Sequence, residues 1–284
     1  GKELRRFEGH TGTLHFVACS PDGKRAVTSG NDKTARLWDL ATGKELRRFE
    51  GHGNFVWAVA VSADGKFLLT GSHDKTVRLW ELDTGREVRR IECPSMVWGV
   101  ALAPDGKRLL APGSEGVRLL NAATGAEEKV LKGNSLWKAA LAFSPDGKRA
   151  LAGGGGGQLF YWDLETGKLL HRFDGHAGAT DPARIMVRFI AFSPDGKRAA
   201  TTGYDATVRL WDLEAGPELA RYDWRPADPK QYMLFGVAFT PDGREVVAAG
   251  VDGQVRVLQI QKDGADLGLR CGVGQFLALD PQPR

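Results

Sequence analysis

Three times along this chain a histidine, a threonine, an aspartate and a tryptophan follow in the same order: His10, Thr28, Asp32, Trp38; then His52, Thr70, Asp74, Trp80; then His176, Thr201, Asp205, Trp211. Imidazole, hydroxyl and carboxylate are the groups of a hydrolytic triad, in which the histidine takes the hydroxyl proton and the carboxylate orients the ring. Such a triad needs one nucleophile in one cleft beside an oxyanion hole. Here the trio recurs at three places, each time with a tryptophan attached, so the sets read as structural and no catalytic residue is expected.

Other chemistry is equally thin. Gly153 to Gly157 form a five-glycine run, but it lacks the Gly-Lys-Ser/Thr ending of a phosphate loop and leads into a strand pattern, so it reads as a flexible turn. Cys19, Cys93 and Cys271 have neither disulfide nor metal-ligand spacing. No metal and no cofactor are expected. The net charge of +4 is modest, yet basic residues such as Arg5, Arg6, Arg47, Arg48, Arg89 and Arg90 gather on segments that also hold Glu3, Glu45 and Glu87. A polyanion or nucleic-acid surface is the sharper reading, and blocking of edge-to-edge strand pairing the plainer one. Without interleaved aromatics the plainer one is preferred, and a nucleic-acid partner is not expected.

The elements that position these residues come from a repeat. Residues 1–10, GKELRRFEGH, recur unchanged at 43–52. A second marker, Pro-Asp-Gly-Lys or a close variant, places an aspartate at Asp22, Asp64, Asp105, Asp146, Asp195 and Asp242, in steps of 42, 41, 41, 49 and 47. A period near 40 residues indicates a solenoid, propeller or array. Each copy holds a short apolar run such as Trp57 to Val61, a Pro-Asp-Gly turn, a second small apolar run, a polar turn, an alternating run such as Thr76 to Leu82, and a basic last strand. Four antiparallel strands per repeat make a propeller blade, and no sustained 3.6-residue period supports a helical repeat.

These residues resemble the WD40 family. Trp38-Asp39, Trp162-Asp163 and Trp211-Asp212 match its naming dipeptide, Trp80-Glu81 nearly so, and Gly9-His10, Gly51-His52 and Gly175-His176 match its paired signature. The turns are similar to those of bacterial WD40 arrays. The resemblance implies an all-β propeller and a hydrogen-bonded His, Thr, Asp, Trp tetrad in each of the three sets above. It is physically sound, since a partly buried carboxylate is tolerable where donors reach it. Repeat three departs, with Cys93-Pro94, Glu115 and Leu120 at these positions; repeat four keeps Trp162 beside the glycine run, and repeat six keeps Asp252 with Ala248 and Leu258. Those blades are expected to rest on apolar packing and on their neighbours.

The chain is read as one propeller domain, 1–284, with repeats near 1–42, 43–84, 85–124, 125–166, 167–215 and 216–262 and a partial seventh at 263–284. Lys2 to Phe7 is expected as a rim strand and Gln275 to Leu279 as an inner strand of that seventh blade. A truncated seven-bladed plan is favoured, with a closed six-bladed ring as the alternative. Opening inside a repeat without methionine, the sequence reads as part of a longer polypeptide. With 42% hydrophobic and 26% charged residues and no signal or membrane span, it reads as globular and cytoplasmic, with no membrane partner.

In the implied architecture, residues at the start of the inner strand and just before the tetrad aspartate share the top face. These are His15, Trp57, Trp98, Arg188 and Phe235, with Asn31, His73 and Tyr204. The lengthened loops 178–184 and 224–232 belong to the same class, and the second adds Trp224 and Tyr232. Aromatic and arginine side chains of this kind are the usual anchors of protein interfaces. The expected function is therefore a non-catalytic scaffold binding a peptide or protein on the top face. The alternative is an enzyme or small-ligand site in the central channel, for which these positions offer His15, His73 and Arg188 but no carboxylate partner.

Overall fold

The computed structural model describes residues 3–133, 140–176, 186–224, 233–250, 252–263, 266–271 and 277–278, with side chains described up to residue 261. Among the described residues all regular structure is β. The first sheet is β1 (Leu14–Cys19), β2 (Arg25–Gly30), β3 (Ala35–Asp39) and β4 (Glu45–Phe49); the second is β5 (Val56–Val61), β6 (Phe67–Ser72), β7 (Thr76–Glu81) and β8 (Glu87–Glu92). The third is β9 (Ala101–Leu102), β10 (Arg108–Pro112), β11 (Gly116–Asn121) and β12 (Glu127–Lys132), and the fourth β13 (Ala140–Phe143), β14 (Arg149–Gly153), β15 (Gln158–Asp163) and β16 (Leu169–Asp174). The fifth is β17 (Val187–Phe192), β18 (Arg198–Gly203), β19 (Thr207–Asp212) and β20 (Glu218–Asp223); the sixth is β21 (Leu234–Phe239), β22 (Glu245–Gly250), β23 (Gln254–Asp263) and β24 (Asp266–Cys271). In every sheet the strands lie side by side in chain order, as in a propeller blade. The chain divides into two compact units, residues 2–143 and residues 144–284.

The Pro-Asp-Gly markers make the turn between the first and second strands. Ser20 donates its hydroxyl to Asp22 at 2.5 Å and accepts the Arg25 amide at 3.0 Å, while Asp22 takes the Lys24 amide at 3.1 Å. Gly23, at φ 66, supplies the left-handed residue that the reversal requires. The same bonds form at Ser62, Ser144, Ser193 and Thr240. The third blade has Ala103 there, 1% exposed, and Asp105 keeps only its bond to the Lys107 amide. Ala103→Ser is therefore expected to stabilise the protein by about 0.5–1.5 kcal/mol, the usual net worth of a hydrogen bond, measured as a higher urea midpoint.

Apolar side chains pack between consecutive blades. In the first unit Val27, Leu37 and Phe49 of one sheet meet Val56, Val59, Leu68 and Trp80 of the next, and Leu69, Leu79 and Ile91 meet Val97, Leu109 and Leu120. In the second unit Leu151, Tyr161 and Phe173 meet Trp211, and Val208 and Leu210 meet Trp224, Leu234 and Leu258. Leu120 fills a tryptophan position without a tetrad, at 0% exposure, so the third blade is held by this packing. Its Glu115 is exposed and pairs with Lys132 at 3.9 Å, so it does not serve as a tetrad carboxylate. Within the glycine run, Gly155 bridges to Met186, so the run takes part in the backbone pairing of its unit.

Both expected seventh-blade strands differ from expectation. No strand includes residues 3–11. Leu277–Ala278 pair with Gln254 and Val255 of β23, extending the sixth sheet instead of opening a new one. The reason is the length of β23: its last six residues take β24, leaving its first residues free on the same edge. Among the described residues there are six blades.

Candidate top-face site and the buried networks

The inner strands are not regular, and their irregularity positions the candidate residues. In β1 pairing passes from Leu14↔Gly30 to Phe16↔Ser29, skipping His15; in β5, β17 and β21 the skipped residues are Trp57, Arg188 and Phe235. A bulge leaves its extra residue outside the ladder and re-aims its side chain. Four of the five inner-strand candidates are therefore bulge residues. Spacing alone does not reveal this, because bulge and regular pairing share one sequence pattern.

In the first unit His15, Asn31, Trp57, His73 and Trp98 come together. The Trp57 ring is stacked by His15 at 3.8 Å between centroids and by His73 at 4.9 Å, with interplanar angles of 24° and 8°. Trp98 stands across both, 4.6 Å from Trp57 and 4.4 Å from His73. Asn31 Oδ1 lies 2.5 Å from His15 Nε2, which fixes that ring. Phe55, 37% exposed, flanks both histidines at 6.4 and 6.0 Å and was missed by sequence reasoning; its place two residues before Trp57 was the available signal. Three blades thus contribute to one partly exposed aromatic stack. Its side chains span apolar rings and hydrogen-bonding edges, the combination enriched at interface anchors.

The second unit holds a different group. The Arg188 guanidinium, 8% exposed, lies 5.5, 6.0 and 5.9 Å from the rings of Phe189, Tyr204 and Phe235. Burial lowers its pKa from the ordinary arginine value, and the ring faces offset part of the cost of holding a cation there. Phe235 is 41% exposed and presents this group to solvent.

Two further candidates fall elsewhere. Tyr232 lies outside the described residues. Trp224 is not on a surface: it is 3% exposed, within the packing between the fifth and sixth sheets. Its Nε1 donates to Asp252 Oδ2 at 2.9 Å, and its ring lies over Gly250, whose added Cβ would meet Cε2 and Cζ2 at 2.9 Å. Arg256 stacks on it at 4.1 Å. The sixth blade has neither the paired histidine nor the usual tryptophan, and one indole fills the donor role and the space. An apparent loop residue was read where the chain supplies a core substitute.

The three tetrads are chains of directed hydrogen bonds. Trp38 Nε1 donates to Thr28 Oγ1 at 2.7 Å, Thr28 Oγ1 lies 2.8 Å from His10 Nε2, and His10 Nδ1 lies 2.8 Å from Asp32 Oδ2. A carboxylate only accepts, so Nδ1 carries the proton and Nε2 accepts from the threonine. The second set has 2.9, 2.7 and 2.9 Å in the same order, and the third 2.8, 2.7 and 2.9 Å. Burial lowers the pKa of His10 and of His52, favouring this neutral form. Burial by itself would raise the aspartates, but hydrogen bonds outweigh it: Thr34 and His10 bring Asp32 down to about 2, and Thr76, the Gly53 amide and His52 hold Asp74 lower still. Every hydroxyl in these sets is committed at both ends, which leaves no nucleophile.

Each network extends further than four residues. Arg36 donates to Asp32 at 3.0 Å and to Glu45 at 2.7 Å, and Arg209 bonds Asp205 and Glu218 at 3.1 and 2.6 Å. Arg78 donates to Glu87 at 2.7 Å and pairs with Asp74 at 3.9 Å. Thr34, Thr76 and Thr207 donate to the same aspartates. The repeated Arg-Leu-Trp was the signal for these arginines.

The basic rim is largely engaged by neighbours. Arg48 pairs with Glu45, Arg90 with Glu92, Arg86 with Glu81 and Arg172 with Asp174, while Arg47 and Arg89 donate to the carbonyls of Asp83 and Ala123. Among the described residues, no group of three or more His, Cys, Asp or Glu is placed to hold a metal, and no helix is long and apolar enough to cross a membrane. Burial pushes the Cys93 thiol up to about 11, far from the thiolate form.

Comparison with known proteins agrees with this architecture. The WD domain, G-beta repeat family matches residues 1–39, 43–81, 125–163, 167–212 and 230–258. Similar curated proteins include nuclear distribution protein PAC1 of Arthroderma benhamiae, 47% identical over 38 residues, 13% of this chain and 8% of that protein. Others are human serine-threonine kinase receptor-associated protein, 42% over 43 residues (15% and 12%), and the U3 small nucleolar RNA-associated protein 15 homolog of Xenopus tropicalis, 45% over 40 residues (14% and 8%). Each match spans about one repeat and only a small part of the relative's length. The six blades, their repeated turns and tetrads, and matches over most of the sequence establish that this chain belongs to the WD40-repeat family of β-propellers.

Proposed function

We propose that this propeller is a non-catalytic interaction module that binds a peptide or protein through its bulge-borne side chains. The supporting observation is the stack of His15, Trp57, His73 and Trp98, which gathers partly exposed aromatic surface from three blades. His15 and Trp57 stand on strands and hold His73 and Trp98 by stacking, so little conformational freedom is lost when a partner covers the rings. Arg188, Tyr204 and Phe235 make a second contact group of the same interface type. The catalytic alternative is disfavoured because the His, Thr and Asp sets are closed on themselves, and the polyanion alternative because neighbouring carboxylates and main-chain carbonyls engage most rim arginines. WD40 propellers generally serve as interaction scaffolds, which supports the reading without naming a partner. The test is affinity capture from a lysate of the source cell, comparing the wild type with a Trp57→Ala, Trp98→Ala, Tyr204→Ala variant of matching circular dichroism. Specific retention by the wild type and a loss of tenfold or more in the variant is expected. Equal retention by both would overturn the assignment to these side chains.

A further inference from the structure

The residue opposite each inner-strand bulge is small. Ser29 pairs with Phe16 beside the His15 bulge, Gly71 with Ala58 beside Trp57, and Thr202 with Phe189 beside Arg188, while Gly153 holds the register position of Ser29 in the fourth blade. At the two glycines the next blade closes in directly. A Cβ added to Gly71 would meet Val97 Cγ1 at 2.6 Å, and one added to Gly153 would meet Val187 Cβ at 2.6 Å. The same valines tie the main chains of the two blades together, Val97 N donating to the Ser72 carbonyl at 3.0 Å and Val187 N to the Gly154 carbonyl at 3.2 Å. Ser29 and Thr202 already carry the Cβ that such contact forbids. Val56 and Leu234, which precede Trp57 and Phe235 as Val97 precedes Trp98, must therefore stand farther off, and these two seams are wider. Each also contains a hydroxyl. Ser29 and Thr202 are both 0% exposed, and Ser29 Oγ and Thr202 Oγ1 have no hydrogen-bond partner among the described residues. A buried hydroxyl left unmade costs more than a formed bond contributes, so two such groups at equivalent positions call for a partner.

We propose that each of these two seams, between the first and second sheets and between the fifth and sixth, binds one buried water molecule. The water accepts from the Ser29 or Thr202 hydroxyl and donates to main-chain carbonyls at the bulge opposite. Those acceptors exist because a carbonyl has two lone pairs and a ladder bond takes only one. Two to four such partners are what a buried water needs. An ion is a poor fit, since Val56 and Leu234, 0% and 1% exposed, wall the seams with apolar surface and supply no opposite charge. The bulges are thus braced in two ways. Valine packing and a direct main-chain bond close the seam at a glycine, and a bridging water closes it at a hydroxyl. This bracing is independent of what the bulge residues bind.

Two measurements test this. A crystal structure of the full chain, at a resolution that shows ordered water, is expected to place one water about 2.5–3.0 Å from Ser29 Oγ and another at the same distance from Thr202 Oγ1. Urea unfolding of Ser29→Ala and of Thr202→Val, which remove the hydroxyls without adding bulk, is expected to show a loss of about fivefold in the folding equilibrium constant for each, the usual worth of one hydrogen bond. The sign decides between a bridged and a dry hydroxyl. Removing a dry one relieves an unsatisfied buried group and raises the urea midpoint, so a higher midpoint in either variant would overturn the proposal. An unchanged midpoint would do the same, because the hydroxyl would then hold nothing. A seam without water at either hydroxyl in the crystal structure would overturn it whatever the variants do, and that measurement uses the wild-type chain alone.

Discussion

Asp74→Ala is expected to lower stability by about 3–5 kcal/mol, the range for removing one partner of a buried charged network. The carboxylate accepts from His52 Nδ1 at 2.9 Å, Thr76 Oγ1 at 2.7 Å, and the amides of Gly53 and Thr76 at 2.9 Å each. Alanine leaves these donors without their acceptor and withdraws the anion facing Arg78, whose side chain is 8% exposed. Buried donors left unmade cost far more than a formed bond contributes. The damage also spreads along the chain of bonds, because His52 orients Thr70 and Thr70 accepts from Trp80. Urea unfolding followed by circular dichroism measures the loss. Glu115→Ala is the comparison: in the third blade this carboxylate is 72% exposed and meets Lys132 at 3.9 Å, so a change under about 0.5 kcal/mol is expected. Similar losses at the two positions would remove the network from the account of how these blades hold together.

What the sequence made legible follows from which interactions recur. The Pro-Asp-Gly turns recur in all six repeats and the tetrads in three, so the resemblance to the WD40 family, carried over by position, identified Thr28, Asp32 and Trp38 from the sequence. Arg36, Arg78 and Arg209 were not singled out, because an arginine in a strand ordinarily reads as solvent-facing and only the register shows it reaching inward to aspartate and glutamate. Trp224 was misread for the opposite reason. It sits beside a lengthened loop, and nothing local shows that a missing histidine and a missing tryptophan leave a space of its shape against Gly250 and Asp252. Leu277–Ala278 imitate the start of an inner strand, yet pairing depends on which edge is free, and β23 offers one. His15 and Trp57 were identified by position, whereas their mutual stacking depends on bulges that sequence spacing does not encode.

Acid is expected to unfold this protein in two overlapping stages, both set by the same networks. His10 and His52 have folded pKa values below the ordinary 6.5, with burial the largest cause. Below pH 6.5 the unfolded chain therefore binds protons that the folded chain refuses, and stability declines as pH falls toward the folded values. Asp32 acts through the opposite kind of group with the same sign. Its folded value of about 2 lies below the unfolded 3.8, so its contribution is complete above about pH 4 and is lost as pH falls from there through about 2. Asp74 and Asp205 are also depressed and deepen this second stage. Protonating any of these carboxylates removes an acceptor from histidine, threonine and arginine together, so the steepest loss belongs to the lower window. Urea midpoints measured from pH 8 to pH 3 are expected to be level above pH 7, to fall gently below 6.5 and to fall sharply below 4. A midpoint that stays constant from pH 7 to pH 3 would mean that the histidines and aspartates titrate alike in the folded and unfolded chains, and that the tetrads contribute nothing through their charges.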